Sequence, residues 1–163
     1  MKANRVGMNA GFTLLGMNRT IVSIDFTSAT WNTVASHEVF TVTGMVLVTV
    51  FWRCTEDLAS GGAGEIQFGR EGATNEYTAT QVITGIDAGE FIEPGVATGG
   101  VTNAESGAFI NSATTDAMMF LDGLDIGYEV SVAALTDGTI QGICFWTPIS
   151  ADGLVVAGAG GVL

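Results

Sequence analysis

Residues 128–147 read YEVSVAALTDGTIQGICFWT, and this stretch decides the fold class. In its first part Tyr128, Val130 and Val132 alternate with Glu129 and Ser131. A period of two places successive side chains on opposite faces of a strand. Its last part, Ile140–Thr147, is dense in β-branched and aromatic residues. Between them lies Thr136-Asp137-Gly138-Thr139. Asp-Gly tolerates the positive φ angles of a tight turn, so the spacing predicts a hairpin with Ile140–Thr147 as the second strand. Pro148 is expected to end that strand, because proline has no N–H to give to a ladder.

The same signals recur on either side. Ile21–Phe26 alternates, Glu38–Val42 sets Val39 and Val42 around Phe40, and Thr43-Gly44 marks a turn. Met45–Cys54 is a long run of β-branched and aromatic residues, the pattern of a strand buried on both faces. Glu65–Gly69, Tyr77–Ile83, the piece around Phe91-Ile92, and Ala117–Leu121 read as further strands. Turns are expected at Ala59–Gly64 and Glu71–Glu76, and a long Gly-, Ala- and Ser-rich loop at Gly95–Asn111. The chain holds 23 glycines but 2 prolines, and no window has a helical apolar period. Roughly eight to ten short strands joined by Gly-rich turns predict an all-β fold, an antiparallel β-sandwich of jelly-roll type. The sandwich is placed at residues 20–150, with an N-terminal arm at 1–19 and an apolar C-terminal tail at 151–163.

Composition bounds the function. Hydrophobic residues make up 47 % of the 163 and charged residues 13 %, where an ordinary domain has about 25 % charged. The mean hydropathy is +0.42. No apolar stretch reaches the roughly 18 residues of a membrane helix, so no membrane partner is expected. The surplus apolar surface must go into a core or into contacts with other proteins. The formal net charge of −12 disfavours nucleic acid, whose phosphates call for clustered Lys and Arg. Lys2, Arg5 and Arg19 precede every carboxylate, whereas only Arg53 and Arg70 accompany the 17 acids. A basic arm on an acidic body suits docking onto an acidic protein surface. The tail, ADGLVVAGAGGVL, is apolar and is expected to lie along a neighbour or its own subunit. The candidate partner-binding residues are therefore Lys2, Arg5 and Arg19 in the arm, Leu154, Val155 and Val156 in the tail, and Trp31. The tryptophan lies in a turn-like context, where it could anchor an interface or stack on a sugar.

Reactive constellations are sparse. His37 is the only histidine, near Asp25 and Glu38, but no G-x-S-x-G elbow accompanies it. Its expected place is the loop leading into Glu38–Val42. Cys54 and Cys144 sit in apolar runs and are expected as buried free thiols, with a bridge as the alternative. Asp122 with Asp125, and Asp87 with Glu90, could offer oxygens to Ca²⁺ but lack an EF-hand spacing, so solvated turns are the expectation. Gly158–Gly161 has neither the lysine nor the following helix of a phosphate loop. Asn9 and Gly11 interrupt the apolar core that a secretion signal would need, so Asn18-Arg19-Thr20 is not expected to be glycosylated. No catalytic activity, cofactor or metal is expected.

Several motifs together carry a resemblance: TSATWNTVASHEVFTVTG (27–44), CTEDL (54–58), GGAGEIQFG (61–69), GLDIGYEVSVAALTDGTI (123–140) and CFWTPISADGLVVAGAGG (144–161). In order and spacing these are similar to small virion proteins of tailed bacteriophages. The resemblance implies an all-β capsid decoration, or cement, protein on the outer surface of the head, assembled in the host cytoplasm. It would form homo-oligomers, commonly trimers, and bind the major capsid protein. It brings no catalytic residues, and residues 1–19 lie outside the shared pattern. The alternative is a receptor- or glycan-binding domain of a tail fibre or head spike, with Trp31 and Gly95–Asn111 as its candidates.

Overall fold

The computed structural model describes residues 17–92, 101–102 and 119–163, and these form two antiparallel sheets. The strands are β1 (Asn18–Asp25), β2 (Ser36–Thr43), β3 (Met45–Ser60), β4 (Glu65–Arg70), β5 (Gln81–Val82), β6 (Phe91–Ile92), β7 (Val101–Thr102), β8 (Met119–Asp122), β9 (Ile126–Ser131), β10 (Leu135–Pro148) and β11 (Leu154–Ala157). The first sheet has the order β1-β10-β3-β6-β7, with β8 also paired to β3. The second has the order β11-β2-β9-β4-β5. This is an all-β sandwich, and no α-helix occurs among the described residues.

Strand β3 is the spine of the first sheet. β10 pairs with it over almost its whole length, while β8 and β6 share its other side, at Met45–Val48 and at Trp52-Arg53 respectively. Val46–Val50 are all buried, as the unbroken apolar run requires, and alternation resumes at Phe51. Between the sheets an aromatic chain forms the core. Phe26 meets Tyr128 edge-on at 5.7 Å, Tyr128 lies 6.0 Å from Phe68, Phe68 lies 4.4 Å from Trp52, and Trp52 lies 6.1 Å from Phe40. Gly142 in β10 makes room for this stack: a Cβ there would stand 2.8 Å from Trp52 Cζ3 and 3.1 Å from Phe40 Cζ.

The hairpin expected at Asp137-Gly138 does not form. β9 belongs to the second sheet and β10 to the first, so the chain crosses between sheets at Val132–Ala134. Asp137-Gly138 lies inside β10, where the register against β3 shifts repeatedly. The positive φ of Gly138, 103°, serves a bulge here rather than a turn. Thr43-Gly44 likewise separates strands of different sheets. In β2, Val39 and Phe40 are both buried because a bulge between Glu38 and Phe40 breaks the alternation. Tyr77–Ile83 is not a continuous strand: only Gln81-Val82 pairs, while the Tyr77 and Thr78 N–H groups both donate to Phe68 O.

The proposed boundaries also move. Arg19 is in β1 rather than in an arm, so the first sheet begins before residue 20. The C-terminal segment lies along its own subunit, one of the two places expected for it: β11 pairs with β2 from Leu154↔Thr43 to Ala157↔Phe40, so the sandwich extends past residue 150. Beyond it Gly158 and Gly160 donate to Val39 O and Glu38 O, and Glu38 donates to Gly161 O. The rest of the proposed N-terminal arm, with Lys2 and Arg5, and most of Gly95–Asn111 lie outside the described residues.

Candidate interaction surface

The two outer faces of the sandwich differ in chemistry. On the second sheet, Gln67 donates to Thr74 Oγ1 and to Glu129 Oε2, both at 3.0 Å, and Thr80 donates to Gln67 at 2.7 Å. Ser131 donates to Glu65, and Thr41 to Glu38. The middle of this face is polar and acidic, and its groups satisfy one another, while the edge strands turn out Leu154, Val156 and Val82.

The outer face of the first sheet is apolar and cationic. Strand register sets its rows: Ile21–Ile143–Phe51, Arg19–Phe145–Thr49, Ser23–Gln141–Arg53 and Thr147–Leu47–Phe120, of which Leu47 and Thr49 are buried. Phe51 and Phe145 meet edge-on at 6.1 Å, and the Arg53 guanidinium sits 5.9 Å from the Phe91 ring centroid. Phe120 is 70 % exposed and Ile21 is also exposed. No carboxylate stands in these rows; the nearest at strand level are Asp122, opposite Met45 at one end, and Asp25 and Glu56, both flanking Thr139 at the other. Of the three arginines among the described residues, Arg70 is paired with Glu76, whereas Arg19 and Arg53 both project from this face.

The candidate partner-binding residues are therefore divided. Arg19 is on the apolar face, next to Phe145. Leu154 and Val156 are exposed at the opposite sheet's edge, but Val155 is only 2 % exposed and belongs to the core. It is tied to the first sheet by Thr20, whose Oγ1 donates to Val155 O at 2.8 Å and accepts from Trp146 Nε1 at 3.1 Å. Trp31 is not an open platform. It is half-buried against the core, its carbonyl accepts from Tyr128 Oη at 2.5 Å, and its ring lies over Gly160 of the C-terminal segment. The tail and the tryptophan, each singled out as a partner anchor, thus cover one another within one subunit.

The titratable groups are engaged locally. His37 is buried within β2, stacks on Tyr128 at 5.1 Å, and its Nε2 lies 2.9 Å from Thr33 O. Glu90 Oε2 accepts from Asp87 N at 2.8 Å, closing their shared turn. Asp125 Oδ1 accepts from Val42 N at 2.7 Å; burial, reinforced by Glu38 and Glu71, raises its pKa against that hydrogen bond. No group of three or more His, Cys, Asp or Glu side chains suited to a metal occurs among the described residues. Both cysteines are free and buried, and burial pushes their thiols up, Cys54 to about 11 and Cys144 to about 12. Cys54 is opposite Ile140 and Cys144 opposite Val50, so four ladder positions separate them. At about 3.3 Å per residue that is too far for a bridge.

Comparison with protein-family models, with curated proteins and with solved structures gives no match.

Proposed function

We propose that this chain is a protein-association module, and that it serves as a capsid decoration protein on a bacteriophage head. The observation that carries the association is the contrast between faces: one sheet turns Ile21, Phe51, Phe145 and Phe120 outward with Arg19 and Arg53, and the other turns out a self-satisfied acidic network. An apolar patch edged by arginines gains from desolvation against a partner, at roughly 25 cal/mol per Å² before ordering costs. The arginines favour a partner with exposed carboxylates. The acidic sheet is then left toward solvent. The capsid as partner rests on the resemblance of about residues 20–163 to tailed-phage virion proteins. Many identical sites on a shell would add avidity if the chain binds as an oligomer.

The test is sedimentation of the purified chain with assembled phage heads and, separately, with isolated capsid subunits. Pelleting with heads, together with weak binding to subunits, supports the proposal. Equal affinity for both, or no pelleting with heads, refutes it. A glycan-binding role draws little support from Trp31, whose ring is partly taken up by the segment around Gly160.

A further inference from the structure

We propose that the free edge of β1 is a two-fold docking edge: a second copy of this chain adds its own β1 antiparallel, and the first sheets of two subunits become one. Among the described residues β1 pairs only with β10 and ends the sheet. Phe26 N donates to Gly138 O, directly opposite in the register that runs from Asn18↔Trp146 to Asp25↔Thr139. In an antiparallel pair such exchanging positions recur every second residue. Thr20, Val22 and Ile24 therefore direct their backbone groups to β10. Arg19, Ile21 and Ser23 direct theirs away from it, toward the open edge.

Among the described residues, the only guard on this edge is its pair of charges, Arg19 and Asp25. β1 is 8 residues long with no proline and no lysine, and its register with β10 has no bulge. Proteins ordinarily blunt an edge of this kind with such features.

Charge selects the occupant and the register. Arg19 and Asp25 project from the same exposed face, placed symmetrically about Val22. A two-fold axis through Val22 sets Arg19 opposite Asp25 of the second copy, twice, and Ile21 opposite Ser23. These are the residues whose backbone groups point outward, so ladder hydrogen bonds and ion pairs fall in the same register. A shift by two residues puts Arg19 opposite Ser23 and loses both ion pairs, and parallel pairing in register sets Arg19 against Arg19. Asp25 is already fixed for the contact: its Oδ1 accepts from Thr27 N at 2.8 Å and from Thr27 Oγ1 at 2.7 Å. These bonds also hold its carboxyl below the usual range. The row Ile21–Ile143–Phe51 of one copy then meets the row Ser23–Gln141–Arg53 of the other, and the two Ile21 side chains stand diagonally across the axis.

The inference goes beyond the protein-association reading and does not depend on the capsid, and its two-fold contact differs from the trimer that the resemblance implies. Its test uses the isolated chain in analytical ultracentrifugation. The unaltered chain is expected to dimerise. Arg19→Asp and Asp25→Arg, each confirmed as folded by circular dichroism, are each expected to weaken the dimer by at least about tenfold. Mixed together they are expected to form a 1:1 heterodimer, because each then meets its opposite charge. A register test that leaves Asp25 intact mixes Ile21→Cys with Ser23→Cys under oxidation. The mixture is expected to cross-link, since opposed Cα atoms stand about 5.5 Å apart, and neither variant alone is. A monomeric or trimeric unaltered chain, single charge variants that dimerise normally, a folded mixture that stays monomeric, or no cysteine cross-link would overturn the inference. Failure here with retained pelleting on heads leaves the capsid reading intact, and the reverse result separates them the other way.

Discussion

Thr20→Val isolates the tie that closes one edge of the sandwich. The substitution keeps the branched shape and removes one hydroxyl, which accepts from Trp146 Nε1 and donates to Val155 O. Trp146 is 9 % exposed and Val155 2 %, so neither group regains full hydration. A typical hydrogen bond contributes about 0.5–1.5 kcal/mol net, and a buried group left without a partner costs more. Loss of both contacts should therefore cost about 2–3 kcal/mol. For a chain of this length, 2 kcal/mol lowers Tm by about 4–8 °C. Thr20→Ser retains the hydroxyl and loses only a methyl, so it should recover most of the difference. Urea unfolding followed by tryptophan fluorescence gives the energies. Hydrogen exchange at Leu154–Ala157 shows whether β11 loosens. A Thr20→Val protein within about 0.5 kcal/mol of the unaltered chain, with unchanged exchange in β11, would mean that the C-terminal strand is held by something other than this tie.

Gly142→Ala should destabilise by about 1–3 kcal/mol in thermal unfolding, because the new methyl enters the space of Trp52 and Phe40 and forces the stack apart. Cys54 and Cys144 should both resist a thiol reagent at neutral pH in the folded chain and both react in denaturant, since burial keeps them protonated and covered. Asp125→Asn should stabilise at neutral pH, provided the amide oxygen keeps the Val42 N–H. The sign follows from the raised folded pKa: the ionised carboxyl costs stability above that value, and the cost fades as pH falls toward the unfolded value. Urea midpoints of both proteins across the acidic range should converge at the low end.

Local signals in the sequence identify most strands, while their partners are set elsewhere. Met45–Cys54 and Ile21–Phe26 are legible because burial on two faces or one face leaves a pattern in neighbouring residues. Asp137-Gly138 misleads because positive φ at glycine suits a bulge as well as a tight turn, and only pairing with β1 and β3 decides between them. Tyr77 and Thr78 have strand-like composition but serve to cap Phe68 O. The surface is legible in the same partial way. Arg19, Trp31 and the tail can each be singled out from composition. That Trp31 and Gly160 cover each other cannot, because well over a hundred residues of chain separate them. The row Ile21–Ile143–Phe51 is drawn from three distant strands and appears only once register is known. A buried apolar strand and an apolar docking face also have similar composition, so Phe51 and Phe145 read as core until their side of the sheet is fixed.

The outer face of the first sheet is the centre of the functional account, and a binding titration of assembled heads tests it most directly. Phe145→Asp places a carboxylate in the middle of the apolar rows, and Gln67→Lys alters the opposite, polar face to a similar degree. Loss of an interface anchor costs about 2 kcal/mol or more, so Phe145→Asp should weaken binding by roughly thirtyfold or more while Gln67→Lys leaves it within about threefold. Equal binding by the folded Phe145→Asp protein and the unaltered chain, or a larger loss from Gln67→Lys, would contradict the account.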